Sequence, residues 1–271
     1  MKDPISWTVA GSDSGGGAGI QVDLKVMNAL GVHGCSVVTA LTAQNTKGVE
    51  EVETVSKKMF SAQWDALQKD LFPASIKTGM LGGAEICKQL AEKLTDSIPV
   101  VCDPVWRSSS GQTLLDSEAF DLLLYGVFPK VKIVTPNLPE VEWLLGHSMR
   151  SKEEAAEKIL ELGVHSVLIK GGHNPGETCC DYWTDGREAI LFSSPRIKTD
   201  ATHGTGCILS AALAAVLARG ESIPKAIATA KTFLNQCLKN PTQVGSGTHP
   251  VWIKPFEDAQ SDRPCVEITS F

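Results

Sequence analysis

Apolar residues along this chain fall into short runs of two kinds, and the two kinds alternate. Ile5–Ala10 is an apolar run that ends at a glycine-rich stretch, Gly11–Gly17. From Ala18 to Leu30 apolar positions recur at helical spacing and stop at Gly31. This pattern predicts strand, loop, helix, and it repeats. Cys35–Thr42 reads as a strand, Ser56 as the cap of a helix reaching Leu71, Ser75–Thr78 as a short strand and Ala84–Leu94 as a helix. Ile98–Cys102, Lys132–Thr135 and Ser166–Lys170 add three β-branched runs, separated by helical stretches that include Glu153–Leu162.

Alternation of this kind predicts parallel strands joined by crossover helices on both faces, a three-layer α/β/α architecture. Near the C-terminal third the rhythm changes. Thr178–Thr184 and Glu188–Phe192 flank Asp185-Gly186, which suits a two-residue hairpin and makes a few edge strands antiparallel. Two final helices follow, Cys207–Ala218 and Ile223–Leu238. With no internal repeat, linker or composition shift, residues 1–271 read as one domain, ending in a polar, loosely held tail over 255–271.

Composition narrows the function. Lys and Arg total 25 against 31 Asp and Glu, a formal charge of −6 with no basic stripe, which disfavours a dedicated nucleic-acid binder. The longest apolar stretches, around Ala211–Ala218, are too short to span a bilayer. The N-terminal Lys2, Asp3 and Pro4 stand where a signal sequence has an apolar core, so the expected location is the cytoplasm. None of the 8 cysteines pairs with another at two-residue spacing, which argues against zinc and redox motifs. Cys207 alone has a local reason to be reactive.

In an open parallel α/β sheet, ligands bind beyond the carboxyl ends of the strands. The residues just past the predicted strands are, in turn, Gly11–Gly19, Gln44-Asn45, Gly79-Met80, Asp103-Pro104, Pro136-Asn137 with Glu140, and Gly171-Gly172. The first of these carries five glycines in nine residues yet lacks both the Gly-Lys-Ser/Thr ending of a P-loop and the spacing of a dinucleotide fingerprint. A tight strand-to-helix turn explains it as well as a ligand loop does.

His203-Gly204-Thr205-Gly206-Cys207 is more specific, because it runs into an alanine-rich helix. Unpaired N–H groups and the positive dipole end meet there, which suits a transferring phosphoryl group, and the same field is expected to lower the pKa of Cys207. The competing reading is a buried cysteine beside a glycine pair that packs a helix. Asp103 and Glu140, each just past a strand, are candidates for one Mg²⁺, although either alone reads as a helix cap. Lys170 is a candidate for nucleotide phosphates, against the plainer reading of a solvated lysine.

These residues resemble the hydroxymethylpyrimidine/phosphomethylpyrimidine kinases of thiamine biosynthesis, members of the ribokinase-like superfamily. The likeness runs from about Ser6 to Pro250 through Ala10–Asp23, Thr39–Thr46, Lys77–Leu81, Asp103–Val105, Thr135–Glu140, Lys170–His173 and Thr202–Cys207, in order. The resemblance implies that Gln44 pairs with the aminopyrimidine edge of the substrate and that Asp23 receives its hydroxymethyl group. Gly11, Met80 and Val105 would complete that pocket. It further implies Cys207 as the base, with Gly204, Thr205 and Gly206 as the anion hole; Asp103 and Glu140 on Mg²⁺; Asn137, Thr135 and Lys170 toward ATP; and a homodimer.

Pyridoxal-phosphorylating relatives carry Met-Asp-Pro in place of Gln44-Asn45-Thr46, which favours the pyrimidine and leaves pyridoxine or pyridoxal as the alternative substrate. Two departures stand out. Ser14-Gly15 replaces the more common Pro-Ser. Trp106-Arg107-Ser108-Ser109 replaces Met-Val-Ala-Lys, losing a lysine and gaining Arg107 two places earlier. If that lysine neutralises a substrate phosphate, its loss favours the first phosphorylation over the second. Two other classes stay open on the residues alone: acyl transfer through Cys207 and His203, and a non-catalytic nucleotide- or vitamin-sensing domain.

Overall fold

The computed structural model of the chain describes residues 3–107, 111, 113–172, 176–256 and 267–270. In chain order the elements are β1 (Ile5–Asp13), α1 (Gly19–Ala29), β2 (His33–Asn45), β3 (Gly48–Thr54), α2 (Lys57–Asp70), β4 (Ser75–Thr78), α3 (Ala84–Lys93) and β5 (Val100–Cys102). Then come α4 (Ser117–Leu122), which runs on through a π-turn and a 3₁₀ turn to Lys130, β6 (Ile133–Val134), α5 (Leu138–Leu145), α6 (Lys152–Leu160), β7 (Val167–Ile169) and β8 (Thr178–Thr184). The last are β9 (Ala189–Pro195), α7 (Thr205–Ala218), α8 (Ile223–Leu238) and β10 (Glu267–Ser270).

The strands form one sheet in the order β10-β9-β8-β7-β6-β5-β4-β1-β2-β3. From β7 to β2 every pairing is parallel. Strands β4, β5, β6 and β7 are buried on both faces, which is why they read as unbroken apolar runs and not as alternation. Separate cores lie on the two faces. One gathers α2 to α6 around Trp7, Phe60, Trp64 and Ile76; the other packs α1, α7 and α8 on Val101, Ile133 and Leu168. The expected three-layer α/β/α architecture is what the chain adopts. Helix α7 is buried on every side from Ile208 to Ala218, so it lies within the fold and is not amphipathic.

Four details differ from the sequence reading. β2 runs on to Asn45 and turns back as β3, an antiparallel edge strand that was not anticipated. Leu138–Leu145 is helical, started by a capping box between Asn137 and Glu140. The β8–β9 connection is a four-residue loop, Asp185–Glu188, since Thr184 pairs with Ala189; the Asp185 carboxylate accepts from the amides of Arg187 and Glu188, both at 2.9 Å. Of the tail from Pro255, residues 257–266 and 271 lie outside the described residues, and Glu267–Ser270 pair with β9 as an antiparallel edge.

Candidate active site

The loops at the carboxyl ends of the parallel strands enclose one crevice of about 860 Å³. Its glycine-rich wall is organised by Asp13, the last residue of β1. Oδ1 accepts from the amide of Gly15 at 2.8 Å, and Oδ2 accepts from those of Gly17 at 3.0 Å and Ala18 at 2.8 Å. Burial works against a charge here, but hydrogen bonds from His203 and these amides hold the carboxyl below its ordinary range. A side chain at Gly17 would strike the His203 ring, its Cβ falling 2.5 Å from Cδ2, so the glycine is needed for close approach.

Across the crevice, α7 opens at Gly204 with φ 81°, a left-handed conformation that seats its backbone against the Gly17 carbonyl. The Thr205 amide bonds to Thr202 O and that of Ile208 to Gly204 O, while the Gly206 and Cys207 amides have no backbone partner among the described residues. These first-turn donors stand at the positive end of a 14-residue helix and belong to residues that line the crevice; of the three residues suggested for an anion hole, Gly204, Thr205 and Gly206, the Thr205 amide is already bonded to Thr202 O.

The expected activation of Cys207 is not what the resting site provides. Burial pushes its thiol up to about 11; Lys77 pulls the other way, but Asp23 and Asp103 add to the burial. Desolvation outweighs the helix field, and the resting thiol is protonated at neutral pH.

Lys77 was missed by sequence reasoning because it is a single lysine inside a four-residue strand. Its side chain is fully buried, reaches the crevice floor from β4 and pairs with Asp23 at 2.7 Å. Burial opposes its charge, but Asp23, then Cys207 and Asp103, hold the ammonium above its ordinary range. Asp23, assigned to the substrate's hydroxymethyl group, is not on the crevice wall. It is fully buried on α1, with Oδ2 taken by Lys77 and by the Thr8 hydroxyl at 2.6 Å. Thr135, assigned to ATP, also lies beneath the wall; its hydroxyl reaches Cys102 O and Asp103 Oδ1, both at 3.4 Å, so it supports Asp103.

Lys170, Asp103 and Glu140 do converge. Lys170 Nζ lies 2.9 Å from Asp103 and 3.5 Å from Glu140, one ammonium between two carboxylates. Glu140 also accepts from the Asn137 amide at 2.7 Å, and Asn137 Oδ1 accepts from the Glu140 amide at 2.9 Å. The helix-cap and crevice roles therefore coexist in the same two residues. Burial raises the carboxyl of Glu140 against the pull of Lys170. Two hard oxygen donors facing a crevice fit Mg²⁺. No group of three or more His, Cys, Asp or Glu among the described residues could hold a metal, so further ligands would come from phosphates and water.

At the other end, Gln44, Gly11, Met80 and Val105 all line the crevice as expected. Met80 closes over Gly11, where an added Cβ would meet Sδ at 3.1 Å. Arg107 also lines it, stacked with its guanidinium carbon 4.1 Å from the Trp106 ring centroid. Of the same departing loop, Ser108 and Ser109 lie outside the described residues.

A helix start with unpaired first-turn amides, opening onto a crevice at a parallel sheet's carboxyl edge, is the arrangement of the ribokinase-like fold, which the chain shares with solved small-molecule kinases. The model of the phosphomethylpyrimidine kinase family matches residues 13–252. The chain belongs to that family, and it is a phosphotransferase of thiamine biosynthesis. It is 42% identical over 254 residues to the hydroxymethylpyrimidine/phosphomethylpyrimidine kinase of Rhizobium meliloti, covering 91% of this chain and 96% of that one. The protein of that name from Haemophilus influenzae is 43% identical over 253 residues, with 90% and 94% covered. Among solved structures, the pyridoxal kinase from Staphylococcus aureus in complex with ADP superposes with a TM-score of 0.87 at 30% identity, covering 100% of both chains. The phosphomethylpyrimidine kinase from Clostridium difficile gives 0.76 at 38% identity, covering 86% of this chain and 99% of that one.

Proposed function

We propose that this protein transfers the γ-phosphoryl group of ATP to the hydroxymethyl oxygen of 4-amino-5-hydroxymethyl-2-methylpyrimidine, and then phosphorylates the monophosphate to the diphosphate. The observation that carries this reading is Gln44 in the same crevice as Cys207 and the first-turn amides of α7. A carboxamide offers an acceptor beside a donor, which matches an aminopyrimidine edge. In the transfer, the substrate oxygen bonds to phosphorus as the bond to ADP breaks, and the hydroxyl proton passes to the minor fraction of Cys207 that has first lost its own thiol proton to solvent. The Gly206 and Cys207 amides face the developing charge. Lys170 and Asn137 would meet the nucleotide phosphates, with Thr135 acting through Asp103. Asp23 would act through Lys77, as the pair that sets the charge beneath Cys207.

Asp103 and Glu140 are the residues that would hold Mg²⁺, an ion that neutralises charge between nucleotide phosphates when bound. The working form in this reading is a cytoplasmic homodimer, which light scattering on the purified protein tests for assembly. No described helix is long and apolar enough to cross a membrane.

A second substrate reading, pyridoxal, rests on the full-length superposition with the pyridoxal kinase. The deciding experiment offers the free pyrimidine, its monophosphate and pyridoxal separately with ATP and Mg²⁺, and weighs each product by mass beside a Cys207→Ala control. Phosphorylated pyrimidines that disappear in the control support the proposal. Turnover of pyridoxal alone transfers the assignment to the second reading.

A further inference from the structure

Two successive transfers make different demands on one crevice. In the first, the pyrimidine brings no phosphate of its own. In the second, it carries a phosphate of about −1.5 to −2 charge in beside those of the nucleotide. That phosphate needs a cation that no carboxylate has already taken.

Most of the cations lining the crevice are committed. Lys77 and Lys231 each pair with one buried carboxylate, Asp23 at 2.7 Å and Asp181 at 2.6 Å. Lys170 lies between two carboxylates, and Lys198 pairs with Glu177 at 3.3 Å. Arg196 donates to the carbonyls of Gly172 and Gly176, both at 2.7 Å. Arg107 differs: among the described residues, no ion pair or hydrogen bond engages its guanidinium.

Aromatic rings hold it instead. The guanidinium carbon lies 4.1 Å from the centroid of the Trp106 ring. Trp106 is stacked on Trp143 of α5, with centroids 5.2 Å apart and planes within 5°, and Phe120 of α4 packs on Trp143 at 4.5 Å. The backbone beneath is fixed as well, since the Leu114 amide donates to Trp106 O at 2.7 Å and Arg107 forms an antiparallel bridge with Thr113. Stacking occupies the flat face of a guanidinium and leaves its N–H edge available, and that edge is what meets two oxygens of a phosphate at once. The place is suitable too. Arg107 follows Val105 of the ring-binding end by two positions, and its aromatic support stands on the helix that carries Glu140.

Resting on the proposed pyrimidine activity, we propose that Arg107 is the specificity-determining residue of the second transfer, its guanidinium held on the Trp106–Trp143 stack to receive the phosphate of the pyrimidine monophosphate. The arginine then takes up the charge of the lysine that this loop lacks, and the second phosphorylation is retained.

The test measures kcat and KM for the free pyrimidine, for its monophosphate and for ATP with each, in the wild type, Arg107→Ala, Arg107→Lys and Trp106→Leu. Arg107→Ala should lower the ratio of kcat/KM for the monophosphate to that for the free pyrimidine by about 10- to 100-fold, through KM more than kcat. Arg107→Lys restores a point charge without the fork and should recover part of the ratio. Trp106→Leu leaves the arginine in place but unsupported, and should lower the ratio by less than Arg107→Ala. Added salt should narrow the wild-type ratio and leave that of Arg107→Ala nearly fixed. A ratio unchanged in Arg107→Ala overturns this inference. So does a rise in the KM of ATP that is equal with both pyrimidines, which gives the arginine to the nucleotide. A wild type that phosphorylates the free pyrimidine and not its monophosphate overturns it with the first transfer left standing. Turnover of pyridoxal and neither pyrimidine overturns the proposed activity and this inference with it.

Discussion

Two lysines reach the same crevice from opposite electrostatic situations. Lys77 is sealed, with it and Asp23 both fully buried and 2.7 Å apart, one cation for one anion. Lys170 is 12% exposed and stands between Asp103 and Glu140, one cation for two anions. The first pair is closed to any visitor, and its charge is felt only through space, at Cys207 and Asp103. The second cluster keeps a surplus negative charge on a surface that ligands can reach. Burial alone would have ranked the two alike; stoichiometry and access separate a pair that sets the local potential from a cluster that can accept a further cation.

The largest effect expected is on the sealed pair. Lys77→Met leaves Asp23 buried without its cation, bonded to the Thr8 hydroxyl, and should cost about 3–5 kcal/mol in urea unfolding, whereas Lys77→Met with Asp23→Leu should regain most of it. If the double variant is no more stable than the single one, the pair is not the closed unit described. Next comes Lys170→Ala, which should lower kcat by about 10²–10³-fold while unfolding shifts far less than in Lys77→Met. Equal stability losses in the two variants would erase the contrast.

Cys207 reports on the sealed pair from outside. Its alkylation by iodoacetamide, followed by peptide mass, should accelerate about tenfold per pH unit up to about 11. The rate should fall at fixed pH in Lys77→Met and rise in Asp23→Asn. Parallel changes in both variants would mean simple exposure. The smallest effects belong to the open cluster and the glycine loop. Glu140→Gln keeps the capping box, so stability should move by less than about 0.5 kcal/mol while the Mg²⁺ requirement rises severalfold. Asp13 has a lowered pKa, so its share of stability is complete above the ordinary value of 3.8 and is lost as pH falls through the folded value. Acid unfolding of Asp13→Asn should lack that share.

Much of this was readable from the chain. Buried parallel strands announce themselves as apolar runs, and the loops after them delivered Gln44, Asp103, Glu140, Lys170 and Cys207 to one crevice. What was not readable has physical reasons. β3 is Gly-Val-Glu-Glu-Val-Glu-Thr with little burial on either face, so no alternation marks it. Thr135 and Asp23 sit in matching motifs, yet side-chain direction turns both beneath the wall. Asn137 and Glu140 have capping-box spacing, and spacing cannot say that a cap also faces a ligand. For Cys207 the helix field is visible in sequence, but the depth of burial that overrides it is not. Lys77, Asp13 and His203 matter through pairwise distances across as many as 190 positions of chain, from Asp13 to His203, and no local pattern records those.

The first turn that lines the crevice begins a helix that is buried from Ile208 to Ala218 and tied to the sheet by the Ser75 hydroxyl on Ala214 O at 2.8 Å. Amide hydrogens along Ala211–Leu217 should therefore exchange with solvent only when the whole molecule opens, whereas those of β3 exchange by local fraying. Heat should accordingly remove activity and fold in a single step. Sequence drift that loosens the edge strands would spare the phosphoryl site until the protein as a whole is lost.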